Sequence, residues 1–324
     1  MIKNIKIIGY GSCTPSNVVT NHDLSEIIDT TDEWISKRTG IKERRISKGE
    51  STSSLAIAAA KKALNVAGIT AAELDLIIVA TSTPDCFFPS TGCIVQSEIG
   101  AINATSFDLA GACTGFVYAT DVAIQYLKTG RFKRALVIGA EVMSKIIDWN
   151  DRGTAILFGD GAGAIVITTT DEKKITEVYT KSDGTKSEVL KLPAVPIIDM
   201  YDNVKVIDRS IMTMNGQEVF KFACNVIIET IDELISKSNI KLEDVDYIVL
   251  HQANSRIIEY VSNKVNINIE KFFMNLDKYG NTSAASIPIA LDEMYGKNML
   301  KSGQKLMLIG FGGGLTWGGI LLEL

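Results

Sequence analysis

Three stretches of this chain recur after a constant interval of 171 residues, and this repeat constrains the fold more than any other feature. The matching pairs are residues 68–69 with 239–240, 73–79 with 244–250, and 134–139 with 305–310. One interval shared by separate matches indicates a duplicated unit rather than chance similarity between apolar strands. We therefore expect two copies of one unit that meet near residue 170.

Each copy alternates apolar, strand-like runs with helical patterns, which predicts an α/β fold with buried sheets. We expect two pseudo-symmetric halves, residues 1–170 and residues 171–324. The stretch from about residue 180 to 209 has no counterpart in the first half and carries Pro193 and Pro196. It is typical of a long functional loop, with a merely solvated insertion as the alternative.

Composition excludes several classes of protein. Apolar residues make up 46% and charged residues 22% of the chain, as in an ordinary globular protein. The net charge of −5 argues against nucleic acid as a partner. No apolar run approaches the roughly 18 residues of a membrane span, and residues 1–10 lack the features of a signal peptide. Five irregularly spaced cysteines leave one unpaired in any disulfide scheme, so we expect a reducing, cytoplasmic setting.

A cysteine between two glycines is the first candidate for chemistry. Cys113 lies between Gly111 and Gly115, directly before a stretch with the apolar spacing of a buried helix. Free N–H groups and the helix dipole at a helix N-terminus favour negative charge, which predicts a lowered pKa for this thiol. The alternative is that Cys113 simply packs in the core, as we expect for the other four cysteines.

Two further candidates are a histidine and an asparagine. His251 directly follows the apolar run at residues 247–250, which places it at the carboxyl end of a predicted strand. Asn281 lies in a turn marked by Gly280. A neutral imidazole and a carboxamide can both donate hydrogen bonds to one developing oxyanion. The other histidine, His22, is expected to be a surface or capping residue. Cysteine, histidine and asparagine in these places indicate thiol-based acyl chemistry.

Taken together, these motifs resemble the β-ketoacyl-[acyl carrier protein] synthase III family of condensing enzymes over the whole chain. The matching segments are residues 32–35, 38–41, 111–115, 151–154, 251–254, 279–286 and 311–314. The resemblance implies a thiolase-like α/β fold, in which two duplicated halves form a layered α-β-α-β-α core. It also implies that a short-chain acyl-CoA primer condenses with malonyl-[acyl carrier protein] to start fatty acid synthesis.

The resemblance also implies a role for each catalytic residue. Cys113 would hold the acyl group as a thioester, and His251 and Asn281 would stabilise the enolate formed from the malonyl group. The backbone N–H groups of Cys113 and Gly313 would form the oxyanion hole. No metal or redox cofactor is implied.

Further positions match the family's binding residues. For coenzyme A, Trp34 and Arg152 would sandwich the adenine, and the other matching positions are Thr30, Arg38 and Asn254. Lys221 and Arg256 would form a basic patch for the acidic carrier protein, together with Gln252, Ala253, Asn254 and Ser255. Phe88 would reach the acyl pocket of a partner subunit, which implies a homodimer.

Rival functions require residues that differ from these. A biosynthetic thiolase needs a second cysteine near the C-terminal glycines, and residues 311–318 contain none. Elongating ketosynthases use two catalytic histidines, for which His22 is a poor candidate, and plant-type polyketide synthases are longer. A starter ketosynthase of quinolone or polyketide synthesis stays open. From other classes, so do a cysteine thioester hydrolase and a non-catalytic acyl-binding scaffold.

Overall fold

The computed structural model describes residues 4–195 and 210–324. Its strands are β1 (Asn4–Cys13), β2 (Val18–Thr20), β3 (Glu43–Arg45), β4 (Leu76–Ala80), β5 (Thr105–Leu109), β6 (Arg134–Glu141), β7 (Gly161–Thr170), β8 (Thr176–Ser182), β9 (Leu190–Lys191), β10 (Thr213–Met214), β11 (Tyr247–Leu250), β12 (Lys305–Gly312) and β13 (Thr316–Glu323). Its helices are α1 (Asn21–Ser25), α2 (Asp32–Thr39), α3 (Thr52–Ala67), α4 (Thr91–Ile99), α5 (Gly115–Lys128), α6 (Arg152–Ala155), α7 (Gly216–Ser238), α8 (Ser255–Val265), α9 (Leu276–Tyr279) and α10 (Ser286–Gly296). Within the described ranges, no helix combines the length and apolar character of a membrane span.

Two main sheets repeat one strand order. The first sheet has the order β1-β7-β6-β4-β5, and the second has the order β8-β13-β12-β11. In the first sheet β4 and β6 are parallel, and β7 and then β1 continue from β6 in antiparallel pairing. In the second sheet β11 and β12 are parallel, and β13 and then β8 continue from β12 in antiparallel pairing. The predicted duplication is thus confirmed. The boundary near residue 170 stays a proposal, although the first sheet's last strand ends at Thr170 and the second sheet's first strand begins at Thr176.

Helices cover both faces of both sheets. Helices α5 and α10 lie between the sheets, where Phe116 and Leu291 share one apolar core with Ile78 and Leu308. Helices α3 and α4 pack on the outer face of the first sheet, and α7 and α8 on the outer face of the second. The layers are therefore α-β-α-β-α, as predicted. Each fully buried Leu, Ile or Phe side chain contributes about 1.5–3 kcal/mol, which makes this central layer a rigid support.

The two central helices begin in the same unusual way. Residues Ala112–Thr114 form a 3-10 helix before α5, and residues Ser283–Ala285 form one before α10. Each starts at a non-glycine residue with positive φ, 44° at Ala112 and 49° at Ser283. The two positions lie one repeat apart. Such backbone costs on the order of 1–3 kcal/mol and persists only where packing enforces it. It brings Cys113 and the segment after Asn281 to the same end of the central layer.

The predicted long loop is only partly a loop. Strand β8 extends to Ser182, a 3-10 helix spans Gly184–Val189, and β9 then pairs with β10. Pro193 lies among the described residues, whereas the rest of that prediction, over residues 196–209, lies outside them.

Candidate active site

A cavity of about 880 Å³ opens where α5 and α10 begin. Cys113, His251 and Asn281 all line it, so the structure brings the three predicted catalytic residues together. They come from three connections: the one before α5, the end of β11, and the turn before α10. We call this space the Cys113 cavity.

The thiol of Cys113 is buried, with 7% of the residue exposed. Burial is the main reason why its pKa is raised to about 12. A hydrogen bond with Ser283 lowers the pKa by a smaller amount, and the nearby Glu141 carboxylate raises it. The predicted lowering of the pKa is therefore wrong, because loss of water around the thiolate outweighs the helix N-terminus. Cys113 is a neutral thiol before reaction and must lose its proton as it attacks.

Backbone surrounds the cysteine closely. A Cβ atom added at Gly312 would lie 2.8 Å from the Cβ of Cys113, so only glycine fits there. Gly313 lines the cavity beside it. The N–H of Cys113 belongs to the first turn of a helix, where N–H groups lack intrahelical acceptors. The backbone N–H groups of Cys113 and Gly313 are the predicted oxyanion hole, and that role stays a proposal.

His251 is held as a neutral imidazole. Burial lowers its pKa to about 3, and its ring packs edge-on against Phe311 with 5.1 Å between ring centroids. Its Nδ1 lies 2.8 Å from the Ser286 Oγ, which also accepts the backbone N–H of Gln252 at 3.3 Å. When the Ser286 hydroxyl donates to Nδ1, the neutral imidazole carries its proton on Nε2, ready to donate.

Asn281 is fixed by its oxygen. The Oδ1 accepts a hydrogen bond from the backbone N–H of Ser283 at 2.8 Å. No acceptor among the described residues takes a hydrogen bond from its Nδ2. The cavity therefore holds two uncharged donors, from His251 and Asn281, which is a suitable arrangement for stabilising an enolate oxygen.

Aromatic and basic side chains form the rim of the cavity. The guanidinium carbon of Arg152 lies 4.6 Å from the Trp34 ring centroid, and that of Arg38 lies 5.1 Å from it. Lys221 and Arg256 are exposed and line the cavity. The predicted aromatic and cationic positions thus lie around one opening.

The structure does not bring every predicted binding residue to this opening. Gln252 is only 1% exposed, and its amide is engaged with Leu250, Phe273 and Asn275. A side chain so buried cannot contact a carrier protein, so Gln252 is not part of a docking surface.

Other predicted positions differ in how close they lie to the cavity. Thr30 and Ser255 do not line it, and Arg152 reaches the opening only through its contact with the Trp34 ring, whereas Ala253 lines it. Asn254 also lines the cavity, and its side chain donates to the Arg38 carbonyl at 3.0 Å and caps the start of α8. The Asn254 side chain therefore joins α2 to α8. Phe88 is 87% exposed and lies outside the cavity.

Sequence reasoning overlooked three residues of this site. Ser286 holds His251, the backbone of Ser283 holds Asn281, and Glu141 is buried behind Ser283. The repeat offered a signal for the two serines, since Ser283 and Ser286 lie one interval after Ala112 and Gly115. The sequence also offered a signal for Glu141, because it is a carboxylate at the end of an otherwise apolar strand.

Comparison with known proteins agrees with the site. Residues 107–184 match the family model described as 3-oxoacyl-[acyl-carrier-protein (ACP)] synthase III, and residues 235–324 match its C-terminal model. A curated relative, beta-ketoacyl-[acyl-carrier-protein] synthase III of Clostridium novyi (strain NT), is 56% identical over 99% of both chains. The chain belongs to the 3-oxoacyl-[acyl-carrier-protein] synthase III family. The resemblance drawn from the sequence motifs is confirmed.

Solved structures extend this result to the fold. The 3-oxoacyl-[acyl-carrier-protein] synthase III of Aquifex aeolicus VF5 is 46% identical, with a TM-score of 0.91 over 99% of this chain and 100% of that one. The priming β-ketosynthase of the R1128 polyketide pathway is 34% identical, with a TM-score of 0.92 over 99% and 97%. This synthase III family member therefore has the predicted thiolase-like fold.

Proposed function

We propose that this chain is an acyltransferase that condenses a short-chain acyl-CoA with malonyl-[acyl carrier protein]. The products are β-ketoacyl-[acyl carrier protein], CoA and CO2, and the reaction starts fatty acid synthesis. The observation that carries the proposal is the convergence of Cys113, His251 and Asn281 on one cavity. Membership of the synthase III family supports it.

The first step is acyl transfer to the cysteine. Cys113 attacks the thioester carbonyl of acyl-CoA, the C–S bond to CoA breaks, and an acyl-cysteine forms. The N–H groups of Cys113 and Gly313 bind the oxyanion of the tetrahedral intermediate.

The second step makes the carbon–carbon bond. The malonyl group loses CO2, and the electron pair of the broken C–C bond becomes an enolate. His251 Nε2 and Asn281 Nδ2 donate hydrogen bonds to the enolate oxygen. The enolate carbon attacks the acyl-cysteine, and collapse of that intermediate releases Cys113 and the β-ketoacyl product. The reaction is redox-neutral, so these residues require no redox cofactor for it.

Intact-protein mass spectrometry tests this sequence of steps. The protein is incubated with acetyl-CoA or isobutyryl-CoA and then with malonyl-[acyl carrier protein]. We expect one acyl adduct, which disappears on malonyl addition as β-ketoacyl carrier protein forms. An adduct lost equally fast to water alone would favour a thioester hydrolase. Preference for an aromatic or polyketide-type primer would favour a quinolone or polyketide starter enzyme.

Coenzyme A recognition gives a separate prediction. Trp34→Ala is expected to raise the KM for acyl-CoA roughly 5- to 150-fold, since stacking of a base on an aromatic ring contributes about 1–3 kcal/mol. The same variant should leave the KM for acyl-pantetheine, which lacks the nucleotide, almost unchanged. An equal increase for both substrates would place Trp34 against some other part of the ligand. For a base to lie between Trp34 and Arg152, the Arg152 guanidinium must move off the ring.

Carrier-protein docking gives another prediction. Lys221→Glu and Arg256→Glu are each expected to raise the KM for malonyl-[acyl carrier protein] roughly fivefold at low salt, equivalent to about 1 kcal/mol. The effect should fade at about 1 M salt, where charges are screened beyond about 3 Å. Lys61→Glu, on the exposed side of α3, is the matched charge control. Equal effects on the KM for acyl-CoA would count against a docking patch.

The subunit arrangement and compartment follow from the same proposal. Phe87 and Phe88 are both highly exposed, and two adjacent aromatic side chains in water favour contact with another protein surface. We infer that Phe88 packs against a second copy of the chain, and that the homodimer acts in the cytoplasm.

A further inference from the structure

Acyl transfer in this site requires a proton acceptor for Cys113. The thiol is neutral before reaction, because burial raises its pKa to about 12. His251 is the obvious candidate, but burial lowers its pKa to about 3. Its Nδ1 is also occupied by Ser286. A neutral imidazole of this kind is a good hydrogen-bond donor and a poor base.

A buried carboxylate lies on the other side of Cys113. Glu141 ends β6 and is fully buried. One carboxylate oxygen accepts from the Ser283 Oγ at 3.2 Å, and the other accepts from the Thr83 Oγ1 at 2.5 Å. The Ser82 backbone N–H donates to both oxygens at 3.1 Å. Ser283 also contacts Cys113 and lines the cavity, so it bridges the thiol and the carboxylate.

Two titratable groups among the described residues interact with Glu141, namely Cys113 and Lys145. Lys145 Nζ donates to the carbonyls of Thr83 at 2.6 Å and Pro84 at 2.9 Å. Asp85 and Asp160 interact in turn with Lys145. Burial raises the pKa of Glu141 to about 7, so near neutral pH the carboxylate can both accept and return a proton.

We propose that Ser283 and Glu141 form a proton relay for Cys113 during acyl transfer. As the Cys113 Sγ bonds to the acyl carbon, its proton passes to the Ser283 Oγ, and the Ser283 proton passes to the Glu141 carboxylate. When the C–S bond to CoA breaks, the same proton returns through Ser283 to the CoA sulfur. Ser283 is then a catalytic residue and Glu141 a positioning residue that holds the proton. The relay rests on the proposed function.

The test is the pH dependence of the acylation step alone, measured as single-turnover formation of the acyl adduct by intact mass. In the wild type the rate should rise with pH through about 7 and then level, because only the carboxylate form accepts the proton. Glu141→Gln should remove this rise and slow acylation on the order of 10²-fold at the plateau. Glu141→Asp should restore part of the rate and the rise with pH.

Matched variants separate the relay from a structural role. Asp160→Asn removes another fully buried carboxylate, which binds Ser47 and Ser144 instead of Ser283, and it should keep the wild-type profile. Ser283→Ala should lose the rise just as Glu141→Gln does. Alanine is tolerated in this backbone conformation, since Ala112 adopts it one repeat earlier. Ser283→Ala also provides the test if Glu141→Gln does not fold.

The outcomes are distinct. A slow Glu141→Gln or Ser283→Ala variant that keeps the rise through about pH 7 would overturn the relay and leave only a structural role. An unchanged rate in both variants would overturn it too, with the proposed function intact. Failure of the wild type to form any acyl adduct would overturn the proposed function, and the relay with it.

Discussion

Cys113→Ala is expected to abolish formation of the acyl-enzyme. Of the described residues that line the cavity, Cys113 alone carries a thiol. Alanine leaves the backbone N–H groups in place but provides no nucleophile, so acyl-CoA can bind without reacting. Intact mass after incubation with acetyl-CoA should show no added acyl group, against one per chain in the wild type. Overall condensation should then fall to background.

A second buried cysteine provides the control. Cys224 is 4% exposed and packs in the apolar core between α7 and the second sheet, and it is not among the residues that line the cavity. Cys224→Ala also removes a buried thiol, and it should keep full acyl stoichiometry. Acylation of Cys113→Ala at the wild-type level would rule out Cys113 as the nucleophile. A loss in both variants would point to general damage from removing a buried sulfur.

The fold was predictable because its main signal is spread along the chain. The repeat interval of 171 residues recurs in the structure as the starts of β4 and β11, of β6 and β12, and of α5 and α10. A duplicated unit must build the same sheet twice, and its two apolar central helices must pack together to be buried. Where the chain has no repeat, as at residues 180–191, the loop prediction missed the end of β8 and the β9–β10 pair.

The identity of the candidate site was predictable, but its electrostatics were not. Cys113, His251 and Asn281 each follow from a local signal: glycines beside a cysteine, the end of a strand, and a glycine-marked turn. The partners that tune Cys113 and His251 come from more distant parts of the chain, whereas Ser283, which fixes Asn281, lies two residues after it. Ser286 lies 35 residues after His251, and Ser283 lies 142 residues after Glu141. The local rule for helix N-termini therefore gave the wrong direction for the Cys113 pKa, because burial depends on the whole fold.

His251→Ala and Asn281→Ala are each expected to spare acylation and to slow malonyl decarboxylation. Each removes one donor to the enolate oxygen, and loss of one such donor costs about 2.7–4 kcal/mol, or roughly 10²–10³-fold in rate. Acylation is measured as adduct mass and decarboxylation as CO2 release from malonyl-[acyl carrier protein]. If both steps fell together in either variant, the division of labour between Cys113 and this donor pair would be wrong.

The pH dependence of decarboxylation tests why the imidazole is buried. With its pKa lowered to about 3, His251 stays neutral as pH rises from about 5 to 8, so the decarboxylation rate should show no histidine titration there. A rate that fell with rising pH near the ordinary histidine pKa of about 6.5 would mean that the protonated ring is the active form.

Asn281→Asp sharpens the contrast, because it keeps the side chain's size but replaces a donor with a carboxylate. Negative charge beside a forming enolate should slow decarboxylation more than alanine does, since repulsion is added to the lost hydrogen bond. An uncharged donor pair thus stabilises the enolate oxygen. It also forms no ion pair with the malonyl carboxylate, and such an ion pair would hold that group in place and oppose its loss as CO2.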